Sequence, residues 1–411
     1  MGGTVVGIDV GTTKMCTLVG EVDNADQLRI VGVGVVPSRG LRKGVIVSVD
    51  EAAAAIAASI QKAERISGYK IENAYVGVAG SHIASLNTRG VVAIGRGDRP
   101  IMQEDVDRAM EAAQAVAVPH NRQIIHAIPR GFSLDDQEGV RNPIGLMGYR
   151  LEVEAHIVTG AITSLRNLAS CVQNAGVGIT AMVLQPLASA EAVLRPDERE
   201  MGVVLVDAGG GTIDVAIFIE GSIWHSLVLP VGGNHITNDI AIGLRIPFDL
   251  AEELKLQHGH ALPEAVDPDE VVDIRSYGHG PGRVVAKREL ATIIEARAEE
   301  MFEMILREIK RSGYDGLLPA GVVLTGGTAR LAGLVDLGQR VLNLPVRVGA
   351  PTDIDGLVES IEGPAYSTSV GMLLWGIHHD SEPDRGRRPG RGGSGGRHDR
   401  FLGWLREFLP R

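Results

Sequence analysis

The chain has 411 residues, 44% hydrophobic and 22% charged, an ordinary globular composition with room for two domains or more. Forty Lys and Arg against 51 acidic residues give a formal charge of -11, which argues against a general nucleic-acid binder. Two cysteines, Cys16 and Cys171, far apart in apolar segments, exclude a disulfide framework and a cysteine zinc site, whereas 53 glycines with 4% aromatics suit the tight turns of phosphate-handling α/β enzymes.

Met1 leads directly into a strand expected over Val5 to Asp9, with no basic, cleavable leader before it. Further strands are expected at Met15 to Glu21 and near Ile30 to Val36. An alanine-rich helix follows from Asp50, a plausible N-cap, to about Ser67, where Gly68 stops it. Tyr75 to Ala79 reads as another short strand. The character then changes between about 82 and 160. Strands are expected at Gly90 to Ile94, Gln123 to Leu134 and Leu151 to Val158, with a helix at Gln103 to Ala117, which together read as an inserted subdomain. The main pattern resumes with a helix at Ile162 to Ala175, a strand at Ala181 to Gln185 and a small-residue helix at Leu187 to Leu194. A polar turn, Pro196 to Glu200, leads to the strand Val203 to Asp207. Residues 235–315 read as mostly helical with a loop at 276–283, and Val322 to Gly327 is a strand and turn before a helix. No run of about 18 apolar residues occurs, so no spanning helix is expected.

Residues 5–21 and 203–220 repeat one outline: a β-branched strand ending in Asp, a Gly/Thr turn and a second strand. Two related halves are implied. The copies are Asp9-Val-Gly-Thr-Thr-Lys14 and Asp207-Ala-Gly-Gly-Gly-Thr212. Such a turn offers successive backbone N–H groups and hydroxyls to an anion, here from Gly11, Thr12, Thr13 and Lys14, and from Gly209, Gly210, Gly211 and Thr212. Facing each other, the two would clasp a triphosphate, with Asp9 and Asp207 holding magnesium through water. Either turn alone is common punctuation; the pair in register is the signal. Lys14 either neutralises phosphate charge or only flanks its loop. A third glycine turn, with Gly326, Gly327 and Thr328, lets a base or ribose approach without side-chain obstruction, or is an ordinary strand-to-helix turn. Glu252 and Lys255, at i and i+3 on one helix face, reach a ribose and base together, or form a solvated ion pair.

In this order and spacing these elements resemble the actin-like ATPase superfamily, in which the hairpins are phosphate loops and the later Gly-Gly turn is the adenosine motif. Val76-Gly-Val-Ala-Gly-Ser-His82, Leu184-Gln-Pro-Leu-Ala-Ser-Ala190, Val231-Gly-Gly-Asn-His-Ile-Thr-Asn-Asp239, Val323-Leu-Thr-Gly-Gly-Thr328 and Tyr366-Ser-Thr-Ser-Val-Gly371 resemble the FtsA family of bacterial cell-division proteins over nearly the whole chain. The resemblance implies an α/β, duplicated ribonuclease H-like fold of two lobes. Its subdomains would be 1A (1–81, 161–199 and 366–380), the inserted 1C of SHS2 type (82–160), 2A (200–244 and 316–365) and 2B (245–315). It also implies ATP and Mg2+ in the cleft. Gln185 stands where relatives orient the attacking water. A neutral amide is a poor base, so any hydrolysis is expected to be slow; alternatively Gln185 only caps its turn.

Residues 381–400 carry Gly, Arg, Pro and Ser without apolar periodicity and read as a flexible linker. Beyond it, Phe401, Leu402, Trp404, Leu405, Phe408 and Leu409 fill one arc of a helix over 401–411, too short to span a bilayer. With arginines 385, 387, 388, 391, 397 and 400 before it, the segment reads as an in-plane membrane anchor, the alternative being a helix docked on protein. The family resemblance implies the first. It further implies self-polymerisation, FtsZ, membrane lipids and later divisome proteins as partners, and a place on the cytoplasmic face of the membrane at the division site. Gly392-Gly-Ser-Gly-Gly396 matches a nucleophile-elbow pattern only by letter, having no strand before it, and His378-His379 reads as surface histidines. The rival readings are an Hsp70-like chaperone or sugar kinase, and an actin-like assembly protein of a pilus or secretion system.

Overall fold

The computed structural model describes residues 3–23, 27–95, 99–115, 118–273, 284–352, 354–357, 359 and 361–379. The expected loop at 276–283, the linker 381–400 and the anchor 401–411 lie outside the described residues.

Two sheets share one order of five strands, and Asp355–Gly356 adds a sixth at the edge of the first. In the first, Leu28–Pro37, Lys14–Val22 and Thr4–Val10 form an antiparallel meander, and Asn73–Val78 and Gly178–Leu184 extend it in parallel. In the second, Ser222–Leu229, Ile213–Ile219 and Val203–Ala208 form the meander, and Val322–Thr325 and Val346–Val348 extend it. Every residue of Val203–Ala208 and Ile213–Ile219 is buried, which is why each reads as an apolar run interrupted only by its aspartate, Asp207 or Asp214. Those interruptions are the chemistry.

Between the sheets cross the helices Gln185–Val193 and Ser367–His379. A β-carbon at Gly371 would stand 1.8 Å from the Ala188 carbonyl oxygen, so only glycine lets the two backbones approach this closely. The chain leaves the first sheet after Asn73–Val78 and builds a third, antiparallel one. Its order is Ile83–Ala93, Arg150–Ala161, Arg122–Leu134, Gln137–Val140, with helix Gln103–Gln114 packed on it around a core of its own. It returns through helix Ile162–Asn174. The second lobe adds helices Gly233–Leu244, Phe248–His258 and Lys287–Ser312, with the small pair Val271–Asp273 and Val284–Ala286.

Three local expectations are corrected. The first helix is capped by Ser48, not Asp50: Ser48 is extended, and its Oγ accepts the Glu51 N–H at 3.5 Å. Pro196–Met201 is a short helix rather than a polar turn, started by proline at its first position and by Glu198 accepting the Arg195 N–H at 2.9 Å. The strand expected at Gly90 to Ile94 begins seven residues earlier and runs Ile83–Ala93. Its first half, with Ser85, Asn87 and Thr88, is an edge whose polar side chains hid it from an apolar pattern.

Candidate functional site

The two hairpin turns are built alike. The Gly11 N–H donates to the Lys14 carbonyl at 3.1 Å, and the Gly209 N–H to the Thr212 carbonyl at 2.9 Å. Behind them Asp9 pairs across its hairpin with Cys16, and Asp207 with Asp214. The turns meet face to face. A β-carbon on Gly210 would fall 2.0 Å from Thr13 Oγ1, and one on Gly211 2.8 Å from Thr12 Oγ1. Glycine at both positions is therefore what allows the loops to come together.

Each aspartate is held by one residue from each crossing helix. Asp9 Oδ1 accepts from Gln185 Nε2 at 3.0 Å and Oδ2 from Ser369 Oγ at 2.9 Å. Asp207 Oδ2 accepts from Ser189 Oγ at 2.5 Å and from Thr368 Oγ1 at 2.9 Å. Both carboxyls are buried, Asp9 at 7% and Asp207 at 8% exposure. Burial pushes Asp9 up to about 6, against the lowering pull of Lys14, and pushes Asp207 up as well. Asp214 is raised further, by burial and then by the charge of Asp207. Its Oδ2 accepts from Thr212 Oγ1 at 3.1 Å, while its buried Oδ1 has no partner.

Lys14 Nζ donates to the Ala365 carbonyl at 2.6 Å and lies 3.3 Å from the centre of the Tyr366 ring. Burial lowers its pKa, so anionic company is what would keep it charged. Across the cleft, Gly233 and Asn234 at the head of helix Gly233–Leu244 donate to the Gly209 and Gly210 carbonyls at 3.0 and 2.8 Å, and Thr328 Oγ1 donates to Gly209 O at 3.0 Å. Gly326 has φ +85°, and a β-carbon there would stand 2.5 Å from Asp207 Oδ1. Lys255 Nζ reaches Glu252 Oε2 at 2.7 Å, Thr237 Oγ1 at 2.8 Å and the Gly233 carbonyl at 3.2 Å.

One cleft of about 530 Å³ collects both turns, the aspartates behind them, Lys14, Glu252 and Lys255, within the roughly 300–1,000 Å³ of small-molecule sites. Every residue expected from sequence to touch a nucleotide, together with Gln185, lines it. Sequence reasoning passed over Asp214, Asn234, Arg330, Tyr366 and Thr368, which line it too. Asp214 was findable, since it stands in the second hairpin where the first has Cys16. The six expected anchor residues lie outside the described residues.

A family model described as "Cell division protein FtsA" matches residues 204–371, and one described as "SHS2 domain inserted in FTSA" matches residues 80–159. The cell division protein FtsA of Pseudomonas aeruginosa is 44% identical over 381 residues, covering 93% of this chain and 91% of its own length. The chain belongs to the FtsA family of cell-division proteins. Among solved structures it is similar to the PilM-PilN type IV pilus biogenesis complex, with TM-score 0.65 at 16% identity over 92% of this chain and 99% of that one. It is also similar to MreB5 of Spiroplasma citri bound to ADP, with TM-score 0.54 at 13% identity over 90% and 95% of the two chains. Both likenesses are of fold, which is actin-like with an inserted SHS2 domain. Membership of the FtsA family disfavours the pilus, chaperone and kinase readings, because the match to the Pseudomonas FtsA spans 93% of this chain.

Proposed function

We propose that the cleft binds ATP with magnesium, and that this protein polymerises and tethers FtsZ filaments to the cytoplasmic face of the cell membrane at the division site. The observation that carries the nucleotide reading is the face-to-face meeting of two similarly built Gly/Thr turns with a buried aspartate behind each. Triphosphate oxygens would lie on the backbone N–H groups and hydroxyls of Gly11 to Thr13 and Gly209 to Thr212, with Lys14 neutralising charge. Gly326 to Thr328, Glu252 and Lys255 would take the base and ribose. The same fold in MreB5 of Spiroplasma citri holds ADP, which supports the assignment.

The residues suit magnesium. Asp9 and Asp207 have only neutral hydroxyl and amide donors as hydrogen-bond partners, and burial raises both pKa values, a cost that a hydrated cation beside them offsets. Asp214 Oδ1 is a further buried acceptor without a partner. Bound there, the ion would neutralise charge on the transferring phosphate. Gln185, held by Asp9, would orient the attacking water without taking its proton, so hydrolysis would be slow or absent.

Membrane attachment is assigned to Phe401, Leu402, Trp404, Leu405, Phe408 and Leu409, aided by the preceding arginines and by the many tails of one filament acting together. FtsZ contact is assigned to 245–315, and polymer contacts to that region and the inserted one. Later divisome proteins would join the assembly, with no role for nucleic acid. Sedimentation with anionic vesicles tests the attachment: the full chain should pellet and a chain ending at residue 380 should not, whereas equal pelleting would remove the anchor.

A further inference from the structure

The lobes meet a second time, away from the cleft. Ile83–Ala93 is one edge of the inserted sheet, and Ser222–Leu229 is one edge of the second lobe's sheet. The edges lie against each other without forming a ladder. Instead, Ser85 Oγ donates to the Ser226 carbonyl at 2.7 Å and Asn87 Nδ2 to the Trp224 carbonyl at 3.1 Å, two residues apart on each strand. Behind them His156, on the next strand of the inserted sheet, is buried and neutral. Its Nδ1 bonds Asn87 Oδ1 at 2.7 Å and its Nε2 bonds Ser226 Oγ at 2.9 Å, so one imidazole spans both sides. The Arg130 guanidinium sits 4.1 Å from the Trp224 ring centre, and Trp224 meets Tyr314 edge-on at 5.4 Å.

Two properties set this seam apart from a static interface. A backbone ladder would fuse the two sheets into one body, whereas side-chain bridges at alternate residues tilt and break singly. Within it, Arg130 Nε and Trp224 Nε1 are buried without hydrogen-bond partners, an unmet demand that another arrangement of the same groups would relieve.

Each edge is tied to one turn of the cleft. Ser222–Leu229 pairs along Ile213–Ile219, with Val228 opposite Asp214. On the other side, Gly80, where the chain leaves for the inserted sheet, packs on Gly44, whose N–H donates to Thr12 Oγ1 at 3.2 Å. A ligand that changes the distance between the two turns therefore loads the seam from both ends.

We propose that this edge-to-edge seam is a second joint between the lobes, which carries nucleotide-driven movement of the second lobe into the inserted sheet. The proposal rests on the cleft being a nucleotide site. Hydrogen–deuterium exchange on the full chain tests it, with ATP and magnesium as the probe. In the wild type, ATP should slow exchange about threefold or more both in helix Gly233–Leu244 at the cleft and in strand Ile83–Ala93. In Ser85→Ala/Asn87→Ala, the helix should still respond and the strand should not; Ser85→Thr, which keeps a hydroxyl donor, should respond like the wild type. Helix protection without strand protection in the wild type overturns the joint, as does a strand response that survives in the double variant. If neither element responds, the nucleotide reading fails, and the joint is judged without ligand. The double variant must then speed exchange at both Ile83–Ala93 and Ser222–Leu229 relative to the rest of the chain, and unchanged exchange at either edge overturns it.

Discussion

Ser369 and Thr368 are adjacent on helix Ser367–His379, yet they hold the carboxylates of opposite lobes, Ser369 Oγ on Asp9 and Thr368 Oγ1 on Asp207, both at 2.9 Å. One helical turn thus fixes the spacing of the two acidic ends. Ser189 closes the arrangement from the other crossing helix, bonding both Asp207 and Thr368. The acidic pair is therefore positioned by the two crossing helices, so their placement fixes the geometry of the site.

The Asp9 carboxyl titrates at about 6 in the folded chain against 3.8 normally, chiefly through burial. A raised carboxyl pKa favours the folded state at low pH. That stability is present below about pH 4 and is lost as pH climbs through 6. Asp9→Asn should remove the loss and raise ligand-free stability at pH 7 by about 1–3 kcal/mol, read as a higher midpoint in urea. A midpoint that stays put would mean the burial cost is met by groups other than those named here.

Gly371→Ala places a β-carbon against the Ala188 carbonyl, backbone against backbone, with no flexible end to yield. The crossing helices must separate, at about 2–4 kcal/mol. Denaturation should show this loss, and nucleotide affinity should fall with it because the donors that hold both aspartates are on those helices. A variant as stable as the parent would contradict the close crossing.

Gly232→Ala is sharper for the site. Its β-carbon would stand 2.5 Å from the Gly209 carbonyl oxygen and 2.8 Å from that of Gly210, pushing helix Gly233–Leu244 off the second turn. ATP binding by equilibrium dialysis should weaken about tenfold or more, which is roughly 1.4 kcal/mol.

Lys255→Met removes the cation shared by Glu252, Thr237 and the Gly233 carbonyl. If Lys255 serves the nucleoside as proposed, discrimination between ATP and a bare triphosphate should shrink; equal loss for both ligands would move Lys255 to the phosphates.

The duplicated hairpins were legible because a strand ending in Asp before a glycine turn leaves its trace in consecutive residues. The hydroxyls that hold those aspartates were not. Ser189, Thr368 and Ser369 sit in small-residue helices whose register against the strands depends on the Gly371 crossing, a relation between segments nearly 180 residues apart. The first half of Ile83–Ala93 was missed for a related reason: its polar side chains serve a seam with the other lobe, and a single strand's periodicity cannot report its partner's. The anchor was read from the apolar arc of 401–411, the arginines before it and the family resemblance, and it lies outside the described residues.

The central claim is that two acidic-ended hairpins grip one nucleotide. Titration of a fluorescent ATP analogue with magnesium into the wild type and a folded Asp207→Ala variant tests it most directly. The account predicts affinity weakened at least tenfold in the variant, and more so with magnesium than without. Equal affinity for both proteins would place the nucleotide elsewhere.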